Sequence, residues 1–220
     1  MQTNINRIFV VLITGIVLFA CKSQTVVNEY KAAPVTELEK EDSIVVLGRR
    51  HKSQQETELD YIDCVSETLA AGSDGINVIP EKQFIDSMYP YFETSTAPMD
   101  VRNLDKLVQK PEIAKKFADY HIRYFVWIEG YTETTDTDGS MACAIGPGGG
   151  GCFGYAQWDD KALYEASIWD FNKVLLAGKI STKTEGTSYL PAVIIPIPFL
   201  ASVKANACSS MATQLKLFLQ

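Results

Sequence analysis

Histidine is scarce in this 220-residue sequence: only His51 and His121 occur. No Gly-x-Ser-x-Gly run accompanies them, so a hydrolase would need nucleophile, base and oxyanion hole gathered from distant loops. A CxxC motif and a histidine pair are also missing, which removes the usual ligand spacing of a bound metal. The one glycine-rich run, Gly146-Pro-Gly-Gly-Gly-Gly151, lacks the Gly-Lys-Ser/Thr ending of a phosphate loop. Excess positive charge is absent. The net charge is -7, with acidic residues scattered rather than in runs, which argues against nucleic acid or an anionic membrane surface as partner. The apolar run Ile8–Phe19 is shorter than the roughly 20 residues a membrane-spanning helix needs. No catalytic residue, metal or cofactor is therefore expected.

What the amino terminus does hold is a leader. A polar start with Arg7 leads into the apolar run, about the length of a signal-peptide core. Leu18-Phe19-Ala20-Cys21 then ends it abruptly. That tetrapeptide resembles a bacterial lipobox, where a precursor is lipidated on cysteine and cleaved just before it. The resemblance implies a signal peptide over 1–20 and a mature chain starting at Cys21 with a diacylglyceryl thioether and an amide-linked third acyl chain. Two or more acyl chains hold a protein firmly at a membrane. Lys22 follows the cysteine; in the family, aspartate there is the signal for inner-membrane retention. Its absence implies the outer membrane, with the body facing the periplasm.

Residues 21–42 are polar and without clear periodicity, which predicts a flexible tether. Residues 43–220 suffice for one domain with a proper core. Four further cysteines, Cys64, Cys143, Cys152 and Cys208, make an even count suited to disulfides in an oxidising compartment. Cys143 and Cys152 bracket the glycine run, which favours their pairing and leaves Cys64 with Cys208. Buried free thiols and a metal site are the rival readings.

Along the domain, Ser43–Gly48 reads as a strand, followed by a basic loop, Arg49-Arg50-His51-Lys52. Leu59, Ile62, Val65 and Leu69 then recur at helical spacing. A short strand at Ile76–Ile79 leads to a helix opened by Pro80. Two further helices are predicted over Asn103–Gln109 and Pro111–Tyr120. His121–Tyr131 is apolar at both alternating sets of positions, the pattern of an interior strand covered on both sides. Thr132–Gly154 reads as a loop, with strands resuming at Phe153–Trp158 and Ala162–Phe171. A turn at Asp170–Lys173 precedes a strand over Val174–Thr184. The prolines of Ile194–Phe199 bar that run from a central strand. A final helix, Ala201–Leu219, turns Ala205, Cys208, Met211 or Ala212, Leu215 and Leu219 to one side.

The fold class is thus α+β (mixed α/β), a mixed sheet with helices, disulfide-stabilised. A helix feeding a strand buried on both faces, Ile113 to Gly130, then long strands separated by the turn Asp170–Lys173, resembles the amino-terminal domain of TolB. That fold is shared with the curli-secretion lipoprotein and the lipoprotein activators of penicillin-binding proteins. The resemblance implies an accessory domain of an envelope machine.

Candidate contact residues are Gly148, Gly149 and Gly150 in the glycine run, with Tyr131 and Trp158 at strand ends beside it. Asp136, Asp138 and Gly139 have the look of a calcium loop but lack its regular oxygen ligands and closing glutamate. Asp159-Asp160 sits beside a predicted turn and reads as solvated. Three functions follow. The first is a non-enzymatic, periplasm-facing interaction module, anchored to the outer membrane by its amino-terminal lipid and bound to another envelope protein. The second is a self-assembling secretion or envelope-complex subunit, against which the glycine run in Thr132–Trp158 speaks as an interruption of any inserting hairpin. The third is an envelope hydrolase with a site around His51 or His121.

Overall fold

The computed structural model describes residues 23–50, 55–147 and 149–220. The leader with its lipobox cysteine Cys21, His51 and Lys52 in the basic loop, and Gly148 lie outside the described residues. The fold is mixed α+β. Its strands are β1 (Gln24–Lys31), β2 (Ser43–Gly48), β3 (Val78–Ile79), β4 (Ile122–Gly146), β5 (Gly149–Asp170) and β6 (Leu175–Pro196). They form a six-stranded mixed sheet in the order β1-β6-β5-β4-β2-β3. The helices are α1 (Leu59–Ala70), α2 (Glu81–Ser87), α3 (Leu104–Val108), α4 (Pro111–Asp119) and α5 (Val203–Leu219), with a 3-10 turn at Val101–Asn103. None of the described helices is long and apolar enough to cross a membrane.

The chain divides into two compact units. The first, a helical unit, comprises Thr25–Thr132, Ala162–Thr184 and Lys204–Gln220. Its centre is the parallel pair of β2 and β4, with Val45 opposite Phe125 and Leu47 opposite Trp127. Ile44–Leu47 of β2 and Tyr124–Ile128 of β4 are buried on both faces, as their unbroken apolar runs predict. Val45, Leu47, Phe125 and Trp127 join an aromatic cluster with Phe84, Phe92 and Phe117. The alternate positions, Ile44, Val46, Tyr124, Val126 and Ile128, are equally buried and point the other way by the period of two. Truncating a residue at this crossing, such as Phe125→Ala, would cost about 3–5 kcal/mol.

Helix α1 buries Ile62, Val65 and Leu69 at the spacing read from the sequence, but Leu59 is exposed and Tyr61 is buried instead. Helix α5 buries Cys208, Met211 and Leu215, while Ala205 faces solvent. A disulfide between Cys64 and Cys208 ties the two helices.

The stretch predicted as a tether behaves differently. Residues 24–31 form β1, and the Ala32 N–H donates to the Ala177 carbonyl at 2.8 Å. Further on, Tyr124 Oη donates to the Thr36 carbonyl at 2.6 Å. The run is polar because an edge strand buries little, so hydropathy alone does not separate it from a linker.

The second, a ribbon unit, comprises Glu133–Lys161 and Glu185–Val203 with the described residues before Thr25. The loop predicted over Thr132–Gly154 is strand throughout except at the turn around Pro147. The glycines that suggested a loop are instead demanded by close backbone approach. Gly139 and Gly154 have φ of +125° and +133°, and a Cβ at either would lie 2.4 Å from Tyr155 O or 2.1 Å from Ser140 O. The two strands predicted within Phe153–Phe171 are one, β5. A second disulfide joins Cys143 to Cys152. Strand β6 extends through Pro191 to Pro196. Thr25 faces Thr184 across a 2.9 Å hydroxyl contact, so β1 ends before the prolines begin, and ladder donors are not required there. The returning chain covers that edge instead, Tyr189 and Phe199 exchanging backbone hydrogen bonds of 2.8 and 2.7 Å.

Candidate interaction surfaces

In the ribbon unit, Asp159 and Asp160 lie inside β5, not beside a turn. Each carboxylate is held by hydroxyl donors. Thr187 Oγ1 donates to Asp159 Oδ1 at 2.6 Å. Asp160 accepts from Thr134 Oγ1 at 2.7 Å and from Ser188 Oγ at 2.8 Å. With Asp136, Lys161 and Glu185 they line an open hollow of about 630 Å3. Lys161 and Glu185 approach within 3.8 Å. Carboxylates fixed by hydroxyl donors keep their charge in one place. Such a surface presents negative charge that is already ordered. Asp136 and Asp138, the residues that suggested a calcium loop, are strand residues, and Asp138 Oδ1 accepts the Gly139 N–H at 2.8 Å.

Towards its turn, the same ribbon carries large exposed apolar side chains. Ile145 is 94% exposed, Val193 75% and Ile195 69%. Phe153, Tyr155 and Ile194 are more than half exposed as well. The sequence signal for this surface was charge, not hydropathy: Gly139–Trp158 and Gly186–Val203 contain no charged residue, against 21% charged overall. Of the contact residues read from the sequence, Gly149 and Gly150 are exposed at the start of β5, and Trp158 is half-buried within it. Tyr131, half-buried, belongs to the helical unit, and neither aromatic residue lies at a strand end.

The helical unit has its own cleft of about 410 Å3, where Tyr131 and Tyr164 meet Arg49, Glu129 and Lys183. Beside it, Glu58 accepts from Tyr164 Oη at 3.0 Å and from the Thr132 N–H at 2.8 Å. The Tyr164 ring stacks on Tyr61. Burial pushes both phenols above their ordinary range, and the Glu58 charge adds to it. Two residues of the basic loop are paired: Arg49 with Glu129 at 3.4 Å, and Arg50 with the buried Glu81 at 2.8 Å. His121 is exposed just beyond α4 with φ +51°, its N–H on the Ala118 carbonyl and its own carbonyl accepting from Ser43. Among the described residues, no group of three histidine, cysteine, aspartate or glutamate side chains is placed to hold a metal ion.

No protein-family model matches the sequence, and no curated protein matches it significantly. Among solved structures, the chain is similar to two of the PelC dodecamer from Paraburkholderia phytofirmans, one of them a point variant. The TM-scores are 0.41 and 0.40 at 12% and 11% identity, covering 89% of this chain and 99% or 98% of those chains.

Proposed function

We propose that the protein is an envelope lipoprotein, anchored to the outer membrane through Cys21 and facing the periplasm, that acts as a non-enzymatic module binding another envelope protein. The observation that carries this reading is the acidic hollow of the ribbon unit, in which Thr134, Thr187 and Ser188 fix Asp159 and Asp160 in place. Side chains held in that way cost little further ordering when a partner binds. The partner is accordingly a protein presenting lysine or arginine, and the hollow steers the encounter and sets its register.

A photoreactive amino acid at Thr135, on the rim of the hollow, tests this in cells. One dominant crosslinked envelope protein is expected, lost when Asp136→Lys and Glu185→Lys reverse the local charge and weakened by added salt. Crosslinks that survive the reversal, or none at all, overturn the reading. Loss of acyl labelling in Cys21→Ala checks the anchor separately.

A second reading, a self-assembling envelope subunit, is favoured by one feature. β2 pairs with β4 only as far as Ile128, so along Glu133–Gly146 the described strands leave one edge of β4 open. An open edge is a template for another copy's strand. Crosslinks from Thr137 to a second copy would select this reading over the first.

A further inference from the structure

We propose that the turn end of the ribbon unit is itself a membrane contact, inserting its uncharged side chains into the interfacial layer of a lipid bilayer. Three observations converge on lipid as the occupant.

The first is charge. From Gly139 to Trp158 and from Gly186 to Val203, 20 and 18 residues pass without one charged side chain. The boundary is sharp, since Asp138, Asp159 and Glu185 close these stretches on the side away from the turn. Eight residues of β4, Gly139 to Gly146, lie beyond it, about 26 Å of extended chain at roughly 3.3 Å per residue.

The second is the ordering of side chains along that length. Nearest the charged boundary come Trp158, Tyr189 and Tyr155; beyond them come Phe153, Val193, Ile194 and Ile145. Aromatic rings with a polar edge next to charge, then wholly apolar side chains, is the sequence of environments across a membrane interface.

The third separates lipid from a protein partner. Ala142, Cys143, Ala144 and Ile145 are consecutive in β4 and all exposed, a stretch without the left-handed φ that Ile194 has in β6. Successive strand residues point to opposite faces. A docked protein covers one patch on one face and leaves a polar rim, whereas here both faces are apolar. A medium that surrounds the strands satisfies both at once. Depth follows from the backbone. The edge of β4 along this stretch has no neighbour among the described strands, and open edges are not tolerated in hydrocarbon. A single chain therefore lies at interfacial depth, where water still reaches that edge.

This contact uses neither the acidic hollow nor the amino-terminal lipid, so it can fail while the partner reading stands. The test is hydrophobic photolabelling of the mature lipidated protein reconstituted in phosphatidylcholine vesicles, with an aryl diazirine confined to the bilayer and the label mapped by peptide. Peptides spanning 139–158 and 186–200 are expected to carry label alongside the acylated amino-terminal peptide that begins at Cys21, which serves as the internal reference. Val193→Asp with Ile195→Asp should cut ribbon labelling by about tenfold or more while the reference is unchanged. Both positions are exposed, and intact disulfides at Cys64–Cys208 and Cys143–Cys152 report that the variant is folded. Label confined to the acylated amino-terminal peptide, or ribbon labelling indifferent to the aspartates, overturns the proposal.

Discussion

The rings of Tyr61 and Tyr164 stack within the helical unit at a centroid distance of 3.5 Å and an interplanar angle of 7°. Burial raises both phenol pKa values above the ordinary 10.0, so the folded state holds two protons that the unfolded chain releases near that pH. A raised folded pKa gives stability that is fully present below about 10 and is lost as pH rises above it. Denaturation midpoints should hold steady through neutral pH and fall above about pH 10. Tyr164→Phe should abolish part of that slope. It should also cost about 1–2 kcal/mol at neutral pH, because Glu58 keeps the Thr132 N–H but loses the phenol donor. A phenolate absorbance titration beside urea melts checks both.

Arg50 and Glu81 make a buried ion pair in the helical unit. The Glu81 side chain is 4% exposed, sits in the first turn of α2, and accepts from Arg50 at 2.8 Å and from the Gly48 N–H at 2.9 Å. Removing the guanidinium leaves a buried carboxylate with one backbone donor. Arg50→Ala should therefore destabilise the protein by about 3–5 kcal/mol. Arg50→Ala with Glu81→Gln should recover much of the loss, because no uncompensated charge remains. Equilibrium unfolding of the double-mutant cycle decides; additive losses would show that the pair is not coupled.

Neither relationship was legible in the sequence, whereas the elements that carry them were. The both-face-buried strand at Ile122–Ile128 and the helices with clean spacing were legible because burial writes a periodic pattern. The ribbon was not, because its glycines answer to a neighbouring backbone: Gly139 meets Tyr155 and Gly154 meets Ser140 across the hairpin. Loop and close-packed strand ask for the same residue. Likewise β1 resembled a tether because its partner, β6, lies more than 140 residues further on, and edge strands carry little hydropathy. The Asp159–Asp160 pair could not be assigned a role, since its hydroxyl partners come from Thr134 on one strand and Thr187 and Ser188 on another. The disulfide pairing was accessible from spacing at Cys143 and Cys152; the Cys64–Cys208 bond depended on α1 and α5 meeting.

The two disulfides should differ in weight. Cys64 and Cys208 are separated by 144 residues and Cys143 and Cys152 by 9. Loop-closure entropy puts their upper contributions at about 5 and about 3 kcal/mol. Cys64→Ser with Cys208→Ser should lower global stability more than Cys143→Ser with Cys152→Ser. The second pair of changes should act instead on the ribbon, speeding hydrogen exchange at Met141–Ile145 while leaving the amides of β2 protected. Equal losses of global stability from both pairs would count against the chain-entropy account.

Two glycines near the ribbon turn separate steric need from mere conformational preference. Gly154 has φ +133°, and an added Cβ would lie 2.1 Å from the Ser140 carbonyl oxygen, a backbone atom that cannot rotate away. Gly149 has a similar φ of +126°, yet nothing lies within 4 Å of the same added atom. Both alanine substitutions meet backbone strain of about 1–3 kcal/mol. Only Gly154→Ala must in addition separate β4 from β5. Gly149→Ala is therefore expected to leave exchange protection along Gly139–Gly146 and Gly151–Trp158 close to that of the parent. Gly154→Ala should lose it there by more than the shared strain accounts for. If the two variants exchange alike, the glycines mark flexibility after all, and the close approach of Gly154 to Ser140 is not what holds the ribbon together.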